Sequence, residues 1–214
     1  MSDRREFLGR LAAAAVVPPF LAQPPSRPFV QSGNWDLTWI DKLATAKHRA
    51  VFDATMMTSG MAPGHVDLYL RDYKAIYDTD DRDMGAVLVI RHEAVPMFLN
   101  DTFWQKYQLG TKLRLNDPAT GAPTTRNYFA AGGMQPVPEL TTLESLQSRG
   151  VTILGCNKAL LSLGQIMAQQ AAQPVEAVQA EARAAVLPFM TLTPSGIFAV
   201  MRAQEAGCQY IRST

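Results

Sequence analysis

Hydrophobic residues in this chain follow two alternating patterns: short continuous runs, and longer stretches with apolar side chains three and four residues apart. The clearest run is 85–90, Gly-Ala-Val-Leu-Val-Ile, which is typical of a strand buried on both faces of a sheet. The pattern predicts strands near residues 48–53, 86–91, 151–155, 189–193 and 208–211. It predicts helices near residues 64–79, 95–109, 140–149, 157–170, 175–186 and 195–206.

The alternation of five predicted strands with helices indicates the fold class. Strands separated by helices form parallel sheets, because a parallel connection must cross from one end of the sheet to the other. We therefore predict an α/β protein, a three-layer α/β/α sandwich around a mostly parallel five-stranded sheet. Ligands in such sheets bind beyond the carboxyl ends of the strands. Cys156, His92 and Asp53 come at or after such ends, whereas His48 begins a strand and belongs to the opposite edge.

Residues 111–138 interrupt this regularity with several prolines and glycines, which predicts a long loop or insertion. Its apolar side chains must be covered by the domain's own surface or by a neighbouring subunit. We predict a homo-oligomer in which this insertion, or the helix carrying Phe103, Trp104 and Tyr107, contributes to the interface. The alternative is a lid that folds over the chain's own pocket. The apolar residues of the insertion are Leu113, Leu115, Tyr128, Phe129 and Met134.

The first residues suggest a targeting signal. Adjacent arginines, then Phe-Leu and a short apolar stretch, occupy residues 4–22 and resemble the twin-arginine export signal of bacteria. The apolar stretch is too short to span a bilayer and is interrupted by two prolines. We predict a signal peptide and linker over residues 1–30, a domain over residues 31–214, and a periplasmic location. The alternative is a basic amphipathic helix that packs on the domain.

Composition and charge bound the class of protein. The chain has 214 residues, of which 47% are hydrophobic and 18% charged, and this suits one domain with a sizeable core. A formal net charge of +1 argues against a nucleic-acid-binding protein. Two cysteines are too few for a disulfide framework or a four-thiolate zinc site. The sequence has no Walker loop, HExxH helix or G-x-S-x-G elbow, and we predict no metal, no cofactor and no stable membrane span.

Several short blocks, in a fixed order, carry a family resemblance. They are Arg-Gly-Val-Thr-Ile-Leu-Gly-Cys-Asn at 149–157, Leu-Thr-Pro-Ser-Gly-Ile at 192–197, and Ala-Gln-Glu-Ala-Gly followed by Tyr-Ile-Arg within 203–212. Together with the strand and turn at 87–98, they resemble the DsrE/DsrF-like family of sulfur-relay proteins. The leader and the insertion differ from the small cytoplasmic carriers of that family and suggest an exported subgroup.

This resemblance implies a fold and a chemistry. The implied fold is a parallel five-stranded α/β/α sandwich, assembled as trimers or hexamers. The implied chemistry is sulfur relay, in which a cysteine at the position of Cys156 carries a persulfide. A sulfur donor or acceptor protein is then the expected partner.

Five residues form the predicted site. Cys156 is the predicted catalytic residue, because it begins a helix whose N–H groups stabilise a thiolate; alternatively it is a small buried residue that closes the turn. His92 could act as a general base or orient a bound group, or be hydrogen-bonded within its turn. Asn157, Ser195 and Gly196 are predicted to bind. A helix beginning Ser195-Gly196 can hold an anion, or Ser195 can simply cap the helix.

Two further features leave alternatives open. The thioethers of Met56, Met57 and Met61 are soft ligands suited to copper(I), or they are adaptable apolar filling. A disulfide between Cys156 and Cys208 is conceivable in an oxidising periplasm, provided that their Cα atoms lie within about 7 Å.

The sequence leaves two candidate functions. The first is an exported protein that binds or relays a persulfide sulfur. The second is a non-catalytic periplasmic module on the same fold, which binds a small ligand or metal or serves assembly.

Overall fold

A parallel sheet forms the centre of the fold. The computed structural model describes residues 33–117, 120–131 and 141–214, and Trp35–Thr214 form one compact unit. The strands within these ranges are β1 (His48–Ala54), β2 (Met84–Ile90), β3 (Thr152–Cys156), β4 (Thr191–Thr193) and β5 (Gln209–Arg212). They pair in parallel in the spatial order β4-β3-β2-β1-β5.

Helices cover both faces of this sheet, which confirms the predicted three-layer α/β/α sandwich. The helices are α1 (Trp39–Ala44), α2 (Met61–Tyr77), α3 (Asp101–Lys106), α4 (Leu109–Leu113), α5 (Leu143–Ser148), α6 (Asn157–Ala171), α7 (Val175–Ala184) and α8 (Gly196–Glu205). Helices α1 and α8 pack on one face, and α2, α3, α5, α6 and α7 contribute to the core on the other. The short helix α1 was not predicted, although it buries Trp39 and Leu43.

The continuous apolar run of β2 contributes to the hydrophobic cluster on each face of the sheet. All seven of its residues are buried. Leu88 and Ile90 belong to the larger cluster, with α2 and α6, whereas Val87 and Val89 belong to the smaller cluster, with α1 and α8. Successive side chains of a strand point to opposite faces, so a strand covered by helices on both sides needs apolar residues at every position.

The single helix predicted over 95–109 is wrong. The chain forms a 3₁₀ helix at His92–Phe98, and α3 and α4 follow as separate short helices. Pro96 has no N–H to donate to a continuous helical ladder. Asn100 then starts a new helix, because its side-chain oxygen accepts a hydrogen bond of 3.0 Å from the N–H of Phe103.

The predicted insertion packs onto its own chain where the structure describes it. The side-chain amide of Asn127 donates hydrogen bonds of 2.7 Å to the carbonyl oxygens of both Met97 and Leu99. Tyr128 and Phe129 are buried in the core. The chain's own surface therefore covers these two aromatic rings, as one of the two sequence alternatives required.

The aromatic residues predicted for a subunit interface occupy the interior instead. Phe103, Trp104 and Tyr107 are all buried within their own chain. These three rings are therefore not exposed for contact with another subunit, and a contribution of their helix to an interface stays a prediction. Leu113 is partly exposed at 37%, and Met134 lies outside the described residues.

The predicted export signal and linker, residues 1–30, also lie outside the described residues. In the part of the chain that the structure describes, no helix is both long enough and apolar enough to cross a membrane.

From β3 onward the predicted elements occur in the predicted order, with ends that differ by a few residues.

Candidate functional site

Cys156 joins the end of β3 to the start of α6. It is the last residue of the strand and the N-cap of the helix, and its Sγ accepts a hydrogen bond of 3.4 Å from the N–H of Ala159. A thiol in this position is unusual, because Ser, Thr, Asp and Asn are the preferred caps. The sulfur therefore lies at the positive end of a 15-residue helix dipole, where negative charge is favoured.

A pocket of about 210 Å³ at the carboxyl edge of the sheet contains four of the five predicted site residues. They are Cys156, His92, Ser195 and Gly196. The structure therefore places Cys156 and His92 at one edge, as parallel strands require. Asn157 is not part of the lining; its side-chain oxygen is buried without a hydrogen-bond partner among the described residues.

A buried ion pair holds Arg91 beside the thiol. The Nε and Nη2 atoms of Arg91 donate hydrogen bonds of 2.7 and 2.8 Å to the two carboxylate oxygens of Asp53, which is 2% exposed. The hydroxyl of Tyr210 donates a third hydrogen bond, of 3.0 Å, to the same carboxylate. The hydrogen bonds to Asp53 raise the pKa of Arg91. Arg91 is therefore a fixed side chain that lines the same pocket as the thiol.

Ser195 and Gly196 have structural duties in the same pocket. The Oγ of Ser195 accepts a hydrogen bond of 3.1 Å from the N–H of Phe198 and caps α8. Gly196 leaves room for Arg91, because a β-carbon added at residue 196 would lie 2.5 Å from Cδ of Arg91. The capping alternative for Ser195 is therefore realised, and Gly196 permits the approach of the cation.

His92 has a strained backbone conformation at the rim of the pocket. Its φ of 51° lies in the left-handed region, which costs a non-glycine residue on the order of 1–3 kcal/mol. The neighbouring N–H groups hold it there: that of Arg91 donates to the carbonyl of Ala54, and that of Glu93 donates to the carbonyl of Thr55. These bonds extend the β1–β2 pairing beyond the strands and leave the imidazole exposed. Strain of this kind is concentrated at functional sites.

The charged side chains that line the thiol pocket are basic. Arg91 and Lys158 line it together with His92, and no Asp or Glu occurs among the described residues of its lining. Lys158 is the second residue of α6, where the helix dipole disfavours a cation, and a bound anion would offset that cost. Sequence reasoning missed both cations. Their signals were a basic residue directly after β2 and a lysine in the first turn of a helix.

The two cysteines lie at opposite edges of the sheet. Cys156 ends β3, whereas Cys208 immediately precedes β5, and both are free thiols, so the disulfide is not formed. Burial raises the pKa of Cys208 to about 11. Across the described ranges, no group of three or more His, Cys, Asp or Glu residues could hold a metal ion. Of the methionines considered for copper, Met56 and Met61 are exposed and Met57 is buried.

Comparison with known proteins gives a distant structural likeness and no family. No protein-family model matches the chain, and no curated protein matches it. Among solved structures, the chain is similar to MTH1491, a protein of unknown function from Methanobacterium thermoautotrophicum, at 13% sequence identity with a TM-score of 0.39. The alignment covers 77% of this chain and 98% of that one.

Proposed function

We propose that this protein is an exported, DsrE-like sulfur carrier, in which Cys156 accepts a sulfane sulfur as a persulfide and passes it to a second thiol. One observation carries the proposal: the sulfur of Cys156 begins α6 in a pocket lined by Arg91 and Lys158 and by no carboxylate among the described residues. A persulfide is an anion near neutral pH, so this pocket suits the loaded state.

The sulfur transfer needs no external oxidant. The Cys156 thiolate attacks the outer sulfur of a donor persulfide, R–S–SH. A new S–S bond forms on Cys156, the old S–S bond breaks, and R–S⁻ leaves with the electron pair. Transfer to an acceptor thiolate is the same reaction in reverse. In this scheme Arg91 and Lys158 hold the persulfide anion, and the exposed imidazole of His92 supplies or removes the proton on the leaving thiol.

The spatial arrangement of the sequence blocks supports the family resemblance. Three of the blocks that carry it meet at the same region of the fold. Cys156 ends β3, Ser195 and Gly196 open α8 beside it, and Tyr210 binds the carboxylate that holds Arg91. The family, the twin-arginine export and the periplasmic location belong to this proposal.

Persulfide loading of Cys156 tests the function. The purified protein is incubated with sodium tetrasulfide, freed of excess reagent and alkylated, and its mass is measured with peptide mapping. We expect one added sulfur on Cys156 that is lost in Cys156→Ser and released by dithiothreitol. Cys208→Ser is the matched control and should load as the wild type does, because burial raises the pKa of Cys208 to about 11. Absence of any adduct on Cys156 would overturn the proposal.

The second candidate is a non-catalytic module on the same fold. It is favoured by the low exposure of Cys156, 6%, and by the capping bond from Ala159, which together suffice to explain a small residue at this turn. The same measurement separates the two. A Cys156 that resists alkylation in the folded protein and takes up no sulfur assigns the residue to the turn alone.

A further inference from the structure

An apolar groove opens beside the thiol pocket. Its volume is about 710 Å³, within the range of about 300–1,000 Å³ that is typical of small-molecule sites. The groove runs between the 3₁₀ helix at His92–Phe98, α4 and α6. The apolar side chains that form it include Met56, Val95, Leu113, Leu163, Ile166 and Met167.

Several of these side chains are exposed to water. Ile166 is 48% exposed, Met56 is 45% exposed and Leu113 is 37% exposed. Exposed residues of this size that line one concave surface are expected at a ligand site, because burial of each would stabilise the bound state. Lys112 also lines the groove and forms no ion pair in the part of the chain that the structure describes.

The groove and the thiol pocket are adjacent. His92, Ala159 and Ser162 line both. A molecule that is too large for the thiol pocket and whose reactive sulfur lies at Cys156 can extend past Ala159 and Ser162 into the groove. An inorganic polysulfide is small enough for the 210 Å³ pocket and would leave the larger groove unused.

We infer that the sulfur donor or acceptor is a small organic thiol with an aliphatic or aromatic body, which lies in this groove while its sulfur reacts at Cys156. The inference rests on the proposed function and adds the class of partner. The donor is the organic persulfide, R–S–SH. Cys156 takes the outer sulfur, and R–S⁻ remains with its apolar group in the groove.

Thiosulfonate labelling measures the groove's contribution directly. Methyl and octyl methanethiosulfonate react with a thiolate alike: Cys–S⁻ displaces methanesulfinate and gives the mixed disulfide Cys–S–S–R. The octyl-to-methyl rate ratio at Cys156 is compared with the ratio for N-acetylcysteine. The protein also carries Cys208→Ser, so that only Cys156 reports. We expect the ratio to exceed that of the small thiol by about tenfold or more, since the octyl chain adds seven methylene groups that can be buried.

Two matched variants test the location. Ile166→Glu places a charge in the groove and should return the ratio to that of N-acetylcysteine. Ile76→Glu makes the same change on α2 at a residue that is 72% exposed and does not line the groove, and should keep the wild-type ratio. Both sites are exposed, so both variants should fold, and the methyl reagent reports the thiol's own reactivity in each.

The outcomes separate this inference from the proposed function. A wild-type octyl-to-methyl ratio equal to that of N-acetylcysteine would overturn the inference that the groove binds the organic group. A ratio that Ile166→Glu leaves unchanged would overturn it as well. In either case, tetrasulfide loading of Cys156 would still support the proposed carrier function. A retained octyl preference without sulfur loading from tetrasulfide or octyl persulfide would overturn the carrier and its donor class, and leave an apolar-ligand site. Faster loading from octyl persulfide than from tetrasulfide, abolished by Ile166→Glu, is the result we expect.

Discussion

Arg91 crosses the backbone of Gly196 on its way to Asp53. A β-carbon at residue 196 would lie 2.7 Å from Cβ of Arg91 and 2.5 Å from its Cδ. Because these atoms belong to the base of a side chain whose far end is held by two hydrogen bonds, Arg91 cannot move aside without losing its carboxylate partner. The glycine of α8 and the cation of the thiol pocket therefore depend on each other.

Gly196→Ala should displace Arg91 and destabilise the fold. We expect the free energy of unfolding to fall by about 1–3 kcal/mol, the usual cost of overpacking, and the rate of persulfide loading on Cys156 to fall with it. Urea denaturation and the tetrasulfide assay check the two effects. Gly64→Ala is the control: nothing lies within 4 Å of an added β-carbon in the interior of α2, so it should be neutral or stabilising. Equal stability of Gly196→Ala and wild type would refute the interdependence.

Arg91→Met should be strongly destabilising, because it leaves the carboxylate of Asp53 buried without its cation. Breaking one partner of a buried pair costs about 3–5 kcal/mol, and we expect the lower end because the side chain of Arg91 is 18% exposed. Arg82→Met provides the comparison. Its partner Asp80 is 58% exposed, so water screens this pair and the loss of stability there should be small. Chemical denaturation of both variants measures the difference, and similar losses would argue against the role of burial.

Asn127→Ala should loosen the segment at 120–131. The change removes the donors to the carbonyls of Met97 and Leu99, and leaving such buried groups unpaired costs about 1–3 kcal/mol each. We expect lower thermal stability and faster proteolytic cleavage within the segment. Asn116→Ala, at an exposed position of the same region, should change neither. Unchanged protease resistance in Asn127→Ala would show that other contacts suffice.

Cys208 should make stability fall at alkaline pH. Burial raises the pKa of its thiol to about 11, above the ordinary value of 9.0, so the folded state favours the neutral form. The stabilisation is complete below the ordinary value and is lost as pH rises through about 11. The urea midpoint of the wild type should therefore drop more between pH 8 and pH 10.5 than that of Cys208→Ala. An equal drop in the urea midpoint of both proteins would contradict the assignment of this pH dependence to Cys208.

The protein should be a homo-oligomer, trimeric or hexameric as the DsrE-like resemblance implies. Ile197 and Met201 lie one turn apart on α8 and are 66% and 52% exposed, which makes this face the candidate contact. Light scattering after size exclusion should give a multiple of the chain mass, reduced by Ile197→Glu with Met201→Glu. Ile76→Glu should leave the mass unchanged. A wild type with the mass of one chain would defeat this prediction.

The sequence allowed the sheet and part of the site to be predicted for simple reasons. Strands such as 85–90 need apolar residues at every position, and parallel pairing brings all carboxyl ends to one edge, which located Cys156 and His92 together. The split of the 95–109 helix was also visible in principle, since Pro96 and Asn100 are a break and a start signal.

The remaining features depend on contacts between distant parts of the chain. The pairing of Arg91 with Asp53 joins residues 38 apart, and its passage over Gly196 joins segments still further apart. The role of Lys158 in the thiol pocket could be inferred only once the charged residues around it were located. The apolar groove arises from α4, α6 and the 3₁₀ helix, and no local pattern encodes a concavity that three separate segments create.

The separation of the two cysteines determines how an oxidised sulfur on this molecule can be removed. Cys156 follows the carboxyl end of β3 and Cys208 precedes the amino end of β5, with β2 and β1 between these strands. Three strand spacings alone amount to about 14 Å, twice the reach of a disulfide between two α-carbons. The chain thus has no resolving thiol of its own, and whatever sulfur or oxidant adds to Cys156 stays until a thiol from another molecule arrives. Turnover would be first order in that outside thiol, and a chain without one would keep its added sulfur.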